Sequence, residues 1–225
     1  RGYSGGSKSE VTIGQCESSP GYKAGRLPPG RRHVMLGLYQ VGALGVDVTT
    51  TVTTSSRQTC LPPGFAGSRI DYMDDRSEPG RWWSGALHAH TVHSDGAEAP
   101  MDVLRRVREA GLDFVTITDH NNTTHIEEVL RQRRNLSEPP LWIAGEEITT
   151  PGGHANAWGL WLGDWIDFRV RPHERGISEL VEAAHRQRAV ISINHPTGAC
   201  AGCSWEHEIP EGVDALEVLK GPTGP

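Results

Sequence analysis

From Trp83 onward, short apolar runs alternate with segments whose apolar residues recur every three to four positions. Trp83 to His88, Phe114 to Thr118, Leu141 to Thr149, Ala155 to Leu162 and Val190 to Asn194 are bounded by turn residues and predict strands. Pro100 to Ala110 carries Val103, Leu104, Val107 and Ala110 on one face with Gly111 as a stop signal, which predicts a helix. Thr124 to Arg134 and Ile177 to Arg188 predict two more. Such alternation is the sign of an α/β architecture with parallel strands. Residues 1–80 follow another pattern, rich in Gly, Pro, Ser and Thr, with β-like runs at His33 to Tyr39 and Val46 to Ser55. They predict a smaller β-rich, partly sandwich-like region, with Asp71 to Gly80 as the linker to a second domain over 81–225.

Composition narrows the function. The chain has 225 residues and a net charge of -6, which disfavours nucleic acid or an anionic membrane as the main partner and points to a small-molecule substrate. No apolar run approaches the roughly 18 to 20 residues that cross a bilayer. The Arg-Gly start has neither an apolar signal region nor an initiating Met, so a cytoplasmic location is expected, with an earlier segment lost. Cys16, Cys60, Cys200 and Cys203 are too few for a disulfide framework. Cys200-Ala-Gly-Cys203 reads as a loop with ordinary thiols, with a zinc or redox role as the alternative.

The candidate chemistry is metal binding. Ten of the eleven histidines lie between His88 and His207, and of His88, His90, Asp95, His120, Glu147, His154 and His195 nearly every one falls at or just past a predicted strand end. In α/β barrels that edge carries the chemistry, because loops from neighbouring strands converge there. His88-Ala-His90 puts two imidazoles on one face of a continuing strand. Ser94-Asp95-Gly96 adds a carboxylate on a tight turn, and Thr118-Asp119-His120 ends a strongly β-type run. Asp119 either ligates, fixes the tautomer of a ligating imidazole, or caps the next helix. Glu146 and Glu147 face opposite sides of a strand, so only one of them faces the metals. Imidazole nitrogens and carboxylates suit Zn, Mn or Fe.

These motifs, taken as His88-x-His90, Ser94-Asp95-Gly96, Thr118-Asp119-His120, Gly145-x-Glu147, His154 and Asn194-His195-Pro196, resemble the PHP (polymerase and histidinol phosphatase) family of metallohydrolases. Trp82 to His88 followed by Thr91 to Gly96 looks most similar to its CehA/McbA branch. The resemblance implies a distorted (β/α)7 barrel with two or three divalent metals at the C-terminal ends of its strands. By motif matching, His88, His90 and Glu147 would hold one metal and Glu147, His154 and His195 a second, with Glu147 as the bridge. Asp95 and His120 would serve a third site. The family pattern ends with an Asp-x-His element, and none occurs after His195, so a C-terminally incomplete domain is expected.

The function expected is hydrolysis of a small ester, carbamate or phosphoester by a metal-activated water. Glu147 is central to it, and His93 or Asp119 is the candidate proton relay. A phosphatase would bring cations to the metals, for which Arg186, Arg188 and Lys220 are candidates by position. A pocket built from Trp158, Trp161, Trp165 and Trp205 would favour an aryl ester or carbamate. A degenerate, non-catalytic PHP-like module is the reading from another class.

Overall fold

The computed structural model describes residues 2–37, 41–55, 80–170, 176–198 and 202–218. Among the described residues, three α-helices and six strands form the body of the fold. Helix α1 (Pro100–Glu109) has proline in its first turn, where no backbone donor is needed, and buries Pro100, Met101, Leu104 and Val107. Helix α2 (His125–Gln132) buries Ile126, Val129 and Leu130, and α3 (Gly176–Arg186) buries Ile177, Leu180, Val181 and Ala184. These apolar stripes join Val115, Ile117, Trp142, Ala144, Ile148, Ala155, Ala157 and Ile191 of the sheet in one core.

The strands run in sequence order: β1 (Gly85–Ala89), β2 (Phe114–Ile117), β3 (Leu141–Thr150), β4 (Gly153–Trp158), β5 (Val190–Ile193) and β6 (Ala215–Leu216). Pairings β1–β2, β2–β3 and β5–β6 are parallel, whereas β4 is antiparallel to both β3 and β5. The all-parallel arrangement read from the sequence is corrected here. Only Pro151 and Gly152 separate β3 from β4, a hairpin connection too short for the crossover that a parallel pair requires. Although β1 and β6 are opposite edges of the sheet, His88 on β1 lies 3.4 Å from Glu217, the residue after β6. The sheet is therefore curled into a half-barrel, and its strand ends face a common opening.

The two β-like runs of the first 80 residues form no strands over 33–37 and 46–55. Val46, Val48 and Val52 are exposed, and among the described residues no partner strand or apolar face holds this β-branched run extended in a sheet. Residues 38 and 39 of the first run, and 71–79 of the expected linker, lie outside the described residues. Residues 2–25 instead follow an irregular path against the α/β body. Gly21 N–H donates to His93 Nδ1 at 3.3 Å, and Lys8 Nζ donates to the carbonyls of Val92 (2.7 Å) and Ser94 (3.1 Å). The ring of Tyr3 packs on Phe168 with centroids 5.3 Å apart. Cys16 and Cys203 are both disulfide-bonded, where the sequence suggested ordinary thiols in the Cys203 loop and too few cysteines for a disulfide framework.

Candidate metal centre

Glu147 occupies the middle of β3 with its carboxylate buried, and five histidine rings from other segments close around it. Oε1 lies 3.3 Å from His88 Nε2, 3.1 Å from His154 Nδ1 and 3.4 Å from His195 Nε2. Oε2 lies 3.2 Å from His90 Nε2 and 3.0 Å from His120 Nδ1. Each oxygen thus faces its own group of imidazoles, the arrangement by which one carboxylate spans two cations. The grouping differs from the one the resemblance implies, since His88 and His90 lie on different oxygens and His120 shares Glu147 with His90. Asp95 stands at the rim, 3.4 Å from His120 Nε2 and 3.8 Å from His90 Nδ1. Glu146 points to the other face, where it accepts the Ile166 N–H at 2.9 Å.

The sequence folds this way because strand ends deliver the rings. His88 lies within β1, His90 just past it, and His120 three residues beyond β2, joined to Glu147 by a backbone bridge. His154 lies early in β4, and His195 follows β5 with a positive φ of 25°, a strained backbone for a residue other than glycine. Gly96 tightens the Asp95 turn, because a Cβ there would come within 2.4 Å of the His90 carbonyl. Two further residues support the cluster: Asn194, part of the Asn194-His195-Pro196 motif, and Glu217, which had no signal in the sequence beyond being acidic. Asn194 Nδ2 donates to Glu147 Oε1 at 2.9 Å. Glu217 accepts from the His195 N–H at 2.9 Å and faces His88 Nδ1 at 3.4 Å.

Polar contacts behind the rings set their tautomers. The Ser94 hydroxyl donates to Asp119 at 2.8 Å, so toward His90 Nδ1, 3.5 Å away, it is left as an acceptor. Glu217 likewise accepts from His88 Nδ1. Both Nε2 lone pairs then face inward, 3.1 Å apart. Two such lone pairs repel unless a positive charge sits with them, and this donor set of neutral nitrogens and carboxylate oxygens fits divalent metal ions. Protons answer the same field. Burial opposes charging His88, but Glu147 and Glu217 outweigh it and raise His88 to about 9. Burial pushes His90 down to about 4. Burial also opposes charging His120, yet Glu147 and Asp95 raise it to about 10. Glu147 itself is held well below the usual carboxylate range by His120, His154 and His195, against the effect of its own burial.

Asp119 and His93 sit one layer behind the cluster. Asp119 accepts from the Thr91 N–H (2.8 Å), the Thr91 hydroxyl (2.7 Å) and Ser94, and it pairs with buried His125 at 3.0 Å. The Gly21 N–H on Nδ1 makes that nitrogen of His93 an acceptor, so its Nε2–H donates to Glu128 at 2.9 Å. Asp119 reaches the rings through Ser94, whereas the ring nitrogens of His93 bond to Thr124, Glu128 and the N-terminal segment and its ring packs edge-on against His125, the partner of Asp119. Arg186 faces Glu182 on the exposed side of α3, and Arg188 is exposed after it; Lys220 lies outside the described residues. The indole N–H of Trp158 is spent on the Leu87 carbonyl and that of Trp165 on the Asn121 carbonyl.

Residues 86–194 match the family model described as PHP domain. No curated protein matches the chain. Among solved structures, similarity is found to a two-domain protein from Bacteroides vulgatus containing a predicted PHP-like metal-dependent phosphoesterase. The two share 24% identity at a TM-score of 0.44, over 58% of this chain and 40% of that one. The chain thus spans less than half the length of that protein.

Proposed function

We propose that this chain is a PHP-type metal-dependent hydrolase of the CehA/McbA kind, holding two or three divalent ions on His88, His90, Asp95, His120, Glu147, His154 and His195. The observation that carries the reading is the buried Glu147 carboxylate, each oxygen of which faces its own set of ring nitrogens. Bound there, the ions would supply an acidified water as nucleophile and polarise the oxygen under attack. Glu147 would be shared between them, Asn194 and Glu217 orient the cluster, and Asp119 acts through Ser94 on His90. A relay role for Asp119 or His93 remains part of the proposal. Its geometry favours Asp119, which is connected to a ligand ring through one hydroxyl. The expected substrates are small esters, carbamates or phosphoesters.

Within that class the phosphoester reading has one support, the Lys8 ammonium beside the Asp95 turn, with two N–H bonds already committed to carbonyls. A non-catalytic module is disfavoured by the cost of burying converging donors that nothing would use. Elemental analysis of protein purified without chelator, followed by a panel of aryl phosphate, aryl ester and aryl carbamate substrates, tests the proposal. Zn, Mn or Fe together with turnover of one class is expected, and absence of any transition metal would overturn it. Among the described residues no helix is long and apolar enough to cross a membrane. The disulfide-bonded Cys16 and Cys203 support an oxidising compartment in place of the cytoplasm expected from the sequence.

A further inference from the structure

Cys203 approaches the metal centre beside two of its rings. A ring nitrogen of His154, a ring nitrogen of His195 and the Cys203 sulfur lie within 4.8 Å of one another, and all three residues are buried. Gly198 marks how closely two of them converge: a Cβ built there would sit 3.3 Å from His195 Nδ1 and 3.1 Å from Cys203 Cβ. His195 is only 8% exposed, and its Nδ1 is buried without a hydrogen-bond partner. A buried imidazole nitrogen in that state is a cost unless something other than a hydrogen bond occupies it. Cys203 is disulfide-bonded, and a disulfide sulfur lacks the charge that makes a thiolate a strong metal ligand.

We propose that Cys203 is a redox-gated metal ligand, withheld while its disulfide is intact and joining His154 and His195 once it is reduced. The inference rests on the metal-centre reading above. A phosphine reductant supplies the two electrons: the S–S bond breaks, phosphorus takes the oxygen of one water as phosphine oxide, and the two protons of that water leave both sulfurs as thiols. Cys203 then gives its proton to solvent as the sulfur–metal bond forms. One thiolate with two imidazoles is a donor set suited to zinc or cobalt. His154 also turns Nδ1 toward Glu147 Oε1, and His195 does so with Nε2, on the opposite side of the ring from Nδ1, so an ion held by the thiolate would draw these two rings away from the carboxylate. Reduction should therefore lower hydrolysis while metal stays bound.

The test is cobalt(II) loading of the whole chain, oxidised and phosphine-reduced, under anaerobic conditions. Visible ligand-field bands report bound cobalt, and a near-ultraviolet charge-transfer band reports a thiolate on it. Ligand-field bands in both states are expected, with the charge-transfer band appearing only on reduction and lost in Cys203→Ser. On the unmutated reduced protein, bound zinc should protect Cys203 from alkylation, as located by peptide mapping. Cobalt bound in both states without the charge-transfer band, a band that persists in Cys203→Ser, or a Cys203 alkylated equally with and without zinc overturns the proposal. Failure to bind cobalt in either state overturns the metal-centre reading along with it.

Discussion

Successive residues of a strand face opposite sides of the sheet, so the neighbouring carboxylates of β3 meet opposite electrostatic surroundings. Glu147 is ringed by imidazoles, whereas Glu146 is buried against the Ile166 N–H, and burial raises it to about 8 from an ordinary 4.5. The folded state therefore holds a proton on Glu146 that the unfolded chain has already released above 4.5. This contribution to stability is complete below that value and is lost as pH rises toward 8, at about 1.4 kcal/mol per pH unit. Glu146→Gln keeps an acceptor for Ile166 and removes the ionisation, so urea unfolding should show a flatter stability–pH profile and a gain at the alkaline end, with metal content unchanged. Glu147→Gln should instead empty the centre in elemental analysis while the fold persists by circular dichroism. Equal metal loss in the two variants would refute the assigned facing of β3. Glu217 acts through His88, so Glu217→Ala should weaken metal affinity by about 10- to 100-fold, the usual effect of removing a carboxylate behind a ligating imidazole. Glu217→Gln, which still accepts a hydrogen bond, should recover part of that loss in a metal titration.

At the scale of elements, the turn carrying Asp95 is clamped from two sides. Asp119 holds it through Thr91 and Ser94, and Ser7 and Lys8 of the N-terminal segment bond to its carbonyls. Lys8→Met keeps the aliphatic stem and removes the donors. Hydrogen exchange at residues 91–96 should then accelerate while β2 and β3 stay protected; unchanged exchange there would show that the clamp is dispensable. None of this docking was legible in the sequence, because a Gly-, Ser- and Thr-rich segment has no apolar period from which to read a buried face. The same composition made Val46 to Ser55 look like a strand, although propensity without a partner does not make one. Helices α1, α2 and α3 were legible because each has a stripe that must be buried, and the β1, β2, β3 and β5 positions because their apolar runs end at ligand-type residues. The direction of β4 was hidden, since an apolar run gives no orientation and only the Pro151-Gly152 link decides it. Glu217 was missed for a related reason: one acid after a two-residue strand carries no signal until the sheet curls and brings it to His88.

At the scale of the molecule, the centre ties together the ends of strands far apart in sequence, from His88 on β1 to His195 after β5 and Glu217 after β6. An ion that binds the folded cluster and not the open chain stabilises the fold by mass action, by about 2.7 kcal/mol at a free concentration 100 times Kd. For a domain of this size that corresponds to a rise in Tm of about 5–10 °C. The sign of its pH dependence follows from the rings. His88 and His120, raised to about 9 and about 10, carry protons near neutrality, and an ion must displace them. Affinity therefore grows as pH rises toward 9 and falls as pH drops, because each proton that has to leave is held against a larger excess of protons in solution. The difference in Tm between metal-loaded and chelator-treated protein should be largest at mildly alkaline pH and should shrink steadily toward acid. Calorimetric titration of metal in two buffers of different ionisation enthalpy should in turn report proton release on binding. A metal-induced shift in Tm that is independent of pH, or binding without proton release, would show that the ions avoid the Glu147 cluster.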